Sequence, residues 1–333
     1  MVFLSGLEIM SNKRKYVPPV PLKKDIDPNS EADCNELDIM ISECINVASI
    51  NVEKDLKEGF PIGTNFRFAG LLKKSLETHQ VLRNIYRIYG KDYKPHQLCA
   101  IPLARQQIEL VFNLALLARK PEKWISIYER HTLVNIYQRY LYEAEETKDL
   151  PRFREGTEER GKLIKNWMLG NGPIPINRPF KEDELREIEN SVQIGGRPKG
   201  LDEFLLPRKI IDEISENNDN GIVDLLFRIY VEYRWLSAYV HLSDWSLMSR
   251  DVIIANHPKI NLDDFHHKEV RSPVVCRSYL GMLIAVTDVS NYLKNPLDLK
   301  VKLIDAWKLF ETIDFLFGFT WEKWAKVTLG LIK

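Results

Sequence analysis

Paired cysteines are missing from this sequence. Its four cysteines, Cys34, Cys44, Cys99 and Cys276, stand far apart with no CxxC spacing. That excludes a zinc ribbon and a secreted disulfide framework, which need closer pairs, and leaves reduced thiols in a cytoplasmic protein. Long apolar runs are missing too. None approaches the roughly 20 residues that a membrane-spanning helix needs, so no membrane partner is expected. Excess charge of one sign is the third absence, since 47 Lys+Arg balance 47 Asp+Glu. A chain built mainly to coat nucleic acid would be basic, although a local basic patch is compatible with overall balance. There is no Walker loop, dinucleotide-binding fingerprint, HExxH or GxSxG, so neither cofactor nor metal is expected. The segment from Met1 to Met10 has a short apolar patch, but no basic region before it and no small-residue cleavage site after it. It does not read as a signal peptide. Met10, ahead of Ser11-Asn12-Lys13-Arg14-Lys15, is an alternative start.

What is present is helical periodicity over most of the length. Residues 1–30, rich in Lys and Pro and including Pro18-Pro19-Val20-Pro21, read as a flexible arm. Residues 31–333 read as a single helical domain. Leu37, Met40, Ile41, Cys44, Ile45 and Ala48 form a first i, i+3, i+4 stripe. Phe68, Leu71, Leu72, Leu76, Val81, Leu82, Ile85 and Ile88 form a second, which stops at Gly90. A third, from His96 to Ala118, is apolar on most faces, the signature of a helix at the centre of a bundle. Lys120-Pro121-Glu122 ends one helix and starts the next, which carries Tyr128, Leu133, Ile136, Tyr137 and Tyr140. A charged helix from Arg154 to Met168 closes at Gly170. The stretch 170–206, with its many Pro and Gly residues and one short polar helix near 181–189, reads as a loop-rich insertion or lid. Helices resume after Gly221, from Val274 to Leu293, and from Leu299 to Phe317 with an aromatic end at Phe319, Trp321 and Trp324. In the last of them Val301, Leu303, Ile304, Trp307, Phe310 and Ile313 mark the buried face. No period-2 run of useful length occurs. The expected class is all-α, a multi-helix bundle.

One stretch carries candidate chemistry: Tyr233-Arg234-Trp235-Leu236-Ser237-Ala238-Tyr239-Val240-His241. Seven residues advance an α-helix by almost two turns, so Arg234 and His241 share a face about 10 Å apart, with Ser237 between them. A fixed cation, a hydroxyl and an imidazole suit metal-free cleavage of RNA. Imidazole moves the proton of the 2′-hydroxyl or of the leaving oxygen, and guanidinium holds the phosphate. The competing reading is structural: Ser237 and His241 satisfy one another within a bundle, and Arg234 pairs with a carboxylate such as Glu109. Arg105 and Glu109, one turn apart on the very apolar helix, either orient His241 or form a core ion pair. Two other clusters compete less well. Arg250 and His257 repeat the spacing, but Asn256-His257-Pro258 reads as a loop. Asp263-Asp264-Phe265-His266-His267 has metal-capable side chains, yet adjacent residues seldom converge on one ion. The abundant Trp and Tyr fall at core spacing and read as packing rather than base stacking.

The Arg234–His241 spacing resembles the Arg-x(4–6)-His motif of the HEPN superfamily. These are all-helical domains that include many metal-independent ribonucleases of toxin–antitoxin and phage-defence systems. More of the chain is similar to a bacterial helical family, domain-of-unknown-function family 5677, through Arg105/Glu109 and the Tyr-Arg-x-x-Ser-x-x-x-His run of residues 233–241; the likeness spans about two-thirds of the length. The resemblance implies an endoribonuclease acting on RNA as a homodimer, with catalytic Arg234 and His241, supporting Ser237, Arg105 and Glu109, and an antitoxin or defence-system partner. A different class is also consistent with the residues: a non-catalytic helical interaction module that binds a protein or nucleotide partner, with Lys13-Arg14-Lys15 and the Pro-rich arm as its contact element.

Overall fold

A computed structural model describes residues 31–57, 62–88, 100–173, 175–193, 198, 201, 203–216, 220–240, 272–313 and 324–331. The architecture is all-α, with no strand among these residues. Its helices are α1 (Glu31–Lys57), α2 (Ile62–Ile88), α3 (Ala100–Arg119), α4 (Pro121–Thr147), α5 (Pro151–Asn166), α6 (Glu182–Gln193), α7 (Pro207–Ser215), α8 (Asn220–Val240), α9 (Ser272–Tyr292), α10 (Leu297–Ile313) and the short α11 (Lys326–Thr328). None of them is long and apolar enough to cross a membrane.

Helix α3 is central, as its nearly uniform hydrophobicity demands. Val111, Phe112, Leu114, Ala115, Leu116 and Leu117 are all fully buried. It packs against α2, α7, α8 and α9, while α1 lies across α2 and α10. Helix α9 is buried on almost every face, so α3 and α9 together form the interior layer. Their approach is close. A Cβ added at Gly281 of α9 would lie 2.7 Å from Val111 Cγ2 of α3. Val111 is β-branched and stiff in a helix, so it has no rotamer to retreat into. Gly281→Ala would gain about 1 kcal/mol in helix propensity against an overpacking cost of about 1–3 kcal/mol. We expect a net loss of roughly 1 kcal/mol, read as a lower urea midpoint. The loss should shrink when it is measured in a Val111→Ala background. A single variant as stable as the wild type would mean that the helices are not this close.

A second, smaller core joins α4, α5 and α6 through Leu133, Val134, Tyr137, Ile164, Leu185 and Ile188, with Met168 just past α5. Here the structure modifies the loop-rich insertion read from 170–206. Helix α6 runs on to Gln193 and buries Leu185 and Ile188. The irregular residues before it are held down from α4. The buried Glu129 carboxylate accepts from the Asn177 backbone N–H at 3.1 Å and its Nδ2 at 3.0 Å, and pairs with Arg67 at 3.3 Å. Buried Arg130 donates to the Arg178 and Pro179 carbonyls and lies 3.9 Å from the Phe180 ring centre. These contacts tie residues 177–180 to α4. Gly170, at φ 89°, occupies the left-handed conformation that closes the α5 segment.

Three residues assigned to apolar faces lie outward: Val81, Ile136 and Val301 are 46%, 40% and 51% exposed. Helix α7 forms where no helix is expected above, and its signals are Pro207 at the first turn and the Ile210, Ile211, Ile214 spacing. The N-terminal arm, Cys99, the Arg250–His257 pair, the Asp263–His267 cluster and the aromatic end at Phe319 and Trp321 lie outside the described residues. The three described cysteines, Cys34, Cys44 and Cys276, are buried and in no disulfide, and burial pushes the Cys44 thiol up to about 12.

Candidate functional site

Helix α8 buries Ile222, Leu225, Leu226, Ile229 and Leu236 against the core and turns Arg234 outward. Among the described residues no hydrogen bond or ion pair holds Arg234. The Arg234–Glu109 pairing raised from the sequence is not what forms. Glu109 Oε1 instead accepts the Tyr233 hydroxyl at 2.8 Å and lies 3.4 Å from Arg105 Nη2. Arg105 Nη2 in turn donates to the Tyr233 oxygen at 3.1 Å, with the guanidinium 5.2 Å from the ring centre. Phe112 of α3 meets the Tyr233 ring edge-on, with centroids 6.5 Å apart. Arg105 and Glu109 are 25% and 40% exposed, so they are not a core ion pair. They clamp Tyr233, and through it they fix the rotation of α8 about its axis.

The clamp has physical consequences at each member. Burial lifts the Tyr233 phenol above its ordinary value despite the hydrogen bond from Arg105. Burial alone would lower Arg105, but Tyr233 and Glu109 more than offset it, so the guanidinium stays charged. Two polar atoms beside the clamp are unsatisfied: Arg105 Nε and Ser237 Oγ are buried with no hydrogen-bond partner. Ser237 lies one turn beyond Tyr233 on the same face. Tyr230 and Tyr233 meet Phe112, while Tyr233 also meets Arg105 and Glu109, so α8 runs antiparallel to α3. The Ser237 turn therefore heads toward the start of α3. There a shallow cleft of about 300 Å³ is lined by Pro102, Leu103, Arg105, Gln106 and Glu109. The structure thus brings Arg105, Glu109, Tyr233 and Ser237 to one region with Arg234 at its outer edge. His241 lies outside the described residues, and its place on the Arg234 face rests on the seven-residue spacing.

A second polar cluster went unseen in the sequence. It joins α1, α2 and α9 around Asp38. His79 Nε2 lies 2.8 Å from Asp38 Oδ1 and His79 Nδ1 lies 2.8 Å from Ser278 Oγ. Tyr279 donates its hydroxyl to Asp38 Oδ1 at 2.7 Å, and Arg83 Nε donates to Oδ2 at 3.1 Å. An ionised carboxylate only accepts, so Nε2 carries the His79 proton, Nδ1 accepts, and the Ser278 hydroxyl donates to it. The order Ser–His–Asp is that of a hydrolase relay, but access is reversed. Ser278 is 2% exposed beneath the histidine, whereas Asp38 is 30% exposed. A nucleophile without a path to substrate does not catalyse acyl transfer, so this cluster is no hydrolase site. The sequence signal was weak: His79 lies among Ser75 and Thr78 on the buried side of α2, where the apolar stripe skips from Leu76 to Leu82.

Burial depresses His79 below its ordinary 6.5, and the bond and charge of Asp38 push back without restoring it. Burial would raise Asp38, but His79, Tyr279 and Arg83 together hold it below 3.8. Glu213, on α7, is likewise brought down to about 2 because donors from Lys123, Lys120 and Trp124 outweigh its burial. The native state therefore resists protonation at all three groups. As pH falls below about 6.5 the unfolded chain takes up a proton at His79 that the folded chain refuses, so stability declines; Asp38 and Glu213 add to the decline below about pH 4. Urea midpoints at pH 7.5, 6 and 5 should fall in that order. A midpoint that rises between pH 7.5 and 5 would contradict a neutral buried His79.

No family model, curated protein or solved structure matches the chain.

Proposed function

We propose that this protein is a HEPN-like, metal-independent endoribonuclease working from the outer edge of α8. Arg234 holds the scissile phosphate and His241 acts as general acid or base. The observation that carries this reading is Arg234 itself, an exposed guanidinium without a partner among the described residues. It projects from a helix whose adjacent residue, Tyr233, is clamped from α3. A cation held on a rigid element and left unpaired costs little reorganisation when phosphate arrives. In the reaction the 2′-oxygen attacks phosphorus, its proton passes to imidazole, and the P–O5′ bond breaks as imidazolium protonates the leaving 5′-oxygen, leaving a 2′,3′-cyclic phosphate. Ser237 and Arg105 support this face from the buried side of α8, where the Ser237 hydroxyl is unpaired, while Glu109 fixes Arg105 and Tyr233. The protein would act in the cytoplasm, as a homodimer in a stress or phage-defence setting, restrained by an antitoxin or other defence-system partner.

One observation favours a second reading. Phe227 and Val231 are 45% and 53% exposed, and they precede Arg234 by seven and three residues on the same outward stripe of α8. An apolar stripe running into a cation suits a contact surface, as expected of a non-catalytic helical interaction module. Assays of single-stranded RNA cleavage and of growth toxicity on expression, with wild type, Arg234→Ala and His241→Ala, separate the two. Cleavage lost in both folded variants supports the enzyme. A wild type that neither cleaves RNA nor slows growth leaves the interaction module.

A further inference from the structure

We propose that the cleft between α1 and α2 is a second ligand site, taking a neutral heterocycle that presents an N–H donor beside an acceptor atom, the pattern on the pairing edge of a nucleobase. The cleft measures about 190 Å³ and is lined by Asn35, Asp38 and Ser42 from α1 and Gln80, Arg83 and Asn84 from α2. By the share of liquid volume a water occupies, that is room for about six waters, or one small planar ring. The inference does not rest on the ribonuclease reading, because it uses none of the α8 residues.

The floor of the cleft decides the chemistry. Asp38 Oδ1 already accepts from His79 and Tyr279, but Oδ2 accepts only from Arg83 Nε and keeps capacity for another donor. Arg83 uses Nε for that bond, and its two Nη groups have no partner among the described residues. An acceptor therefore lies directly beside donors. Charge selects further. Asp38 and Arg83 cancel, and His79 is neutral, so an anionic ligand meets the carboxylate and a cationic one meets the guanidinium. A neutral donor–acceptor edge is matched on both sides.

The floor is also rigid before any ligand arrives. Behind Asp38 stand His79, Ser278 and Tyr279, all buried, and Arg83 lies 5.9 Å from the Tyr279 ring centre. Binding to such a floor spends little on ordering side chains. At the rim the amides of Asn35, Gln80 and Asn84 are exposed and can meet the remaining edges of the ring. A buried polar network that served only to join three helices could be replaced by apolar packing at no loss of stability. One that ends in an open, charge-balanced cleft is suited to hold something there.

Titration calorimetry on the full-length protein, with uridine, cytidine, N3-methyluridine and inorganic phosphate as probes, tests this. Uridine and cytidine carry a donor beside an acceptor; in N3-methyluridine a methyl group replaces the donor hydrogen. The expected result is binding of the first two at least tenfold tighter than N3-methyluridine, with no binding of phosphate. Gln80→Trp fills the rim from an exposed position, so the unfolding midpoint should hold while uridine binding drops at least tenfold. Comparing uridine with a short oligouridylate tells a free base from a base within RNA, and either outcome supports the site. Binding of N3-methyluridine equal to that of uridine, binding of phosphate alone, no binding at millimolar concentrations, or uridine affinity unchanged in a folded Gln80→Trp variant would each overturn it.

Discussion

His241→Ala lowers RNA cleavage by about 100-fold or more, the typical contribution of a positioned general acid or base, while the unfolding midpoint stays within error of the wild type. Arg234→Ala should do the same, and its exposure predicts a stability change within about 0.5 kcal/mol. Arg234→Lys adds a finer test. Lysine keeps the charge but loses the planar fork that grips two phosphate oxygens, so it should recover only part of the alanine loss. A structural role for the pair predicts the opposite pattern: no cleavage to lose, and a fall in stability when His241 is cut back. A pH–rate profile separates the roles again, because removal of the imidazole should erase the limb it controls, whereas removal of the guanidinium should lower the whole curve. Retention of full cleavage by a folded His241→Ala protein ends the proposal.

The largest expected effect on stability comes from Asp38. Asp38→Ala leaves the His79 N–H, the Tyr279 hydroxyl and the Arg83 guanidinium without their acceptor, and two of those three residues are almost wholly buried. Breaking one side of a buried charged network costs about 3–5 kcal/mol, and the partial exposure of Asp38 places the expectation at the lower end. Asp38→Asn retains the shape and one acceptor oxygen, so it should lose less, and its loss should not shrink at pH 5, because Asp38 is held below 3.8 and is still ionised there. Urea unfolding of the three proteins at two pH values reads both effects. Asp38→Ala with a midpoint equal to the wild type would show that the cluster contributes no net stability.

The two sites differ in how far the sequence revealed them. Arg234, Ser237, Arg105 and Glu109 could be singled out because residue types with an evident chemistry fall at helical spacing, which needs only one helix to be read correctly. That Arg105 and Glu109 both bond Tyr233 could not, since it depends on how α3 and α8 cross. The Asp38 cluster was invisible for the same reason carried further. Its members lie on α1, α2 and α9, separated by 41 residues between Asp38 and His79 and by 199 between His79 and Ser278. Each alone is a polar residue at an unremarked helix position.

The helical class, the central place of α3 and the break at Pro121 were determined by the sequence alone, because each follows from local rules: the 3.6-residue period, hydrophobicity on every face, and the missing amide of proline. The outward turn of Val81, Ile136 and Val301, the anchoring of residues 177–180 to α4, and the partners of Glu109 and Asp38 were decided only by the tertiary structure. Those depend on the angle and separation at which helices distant in sequence meet, and the requirement that buried polar groups be satisfied acts across those meetings rather than along the chain.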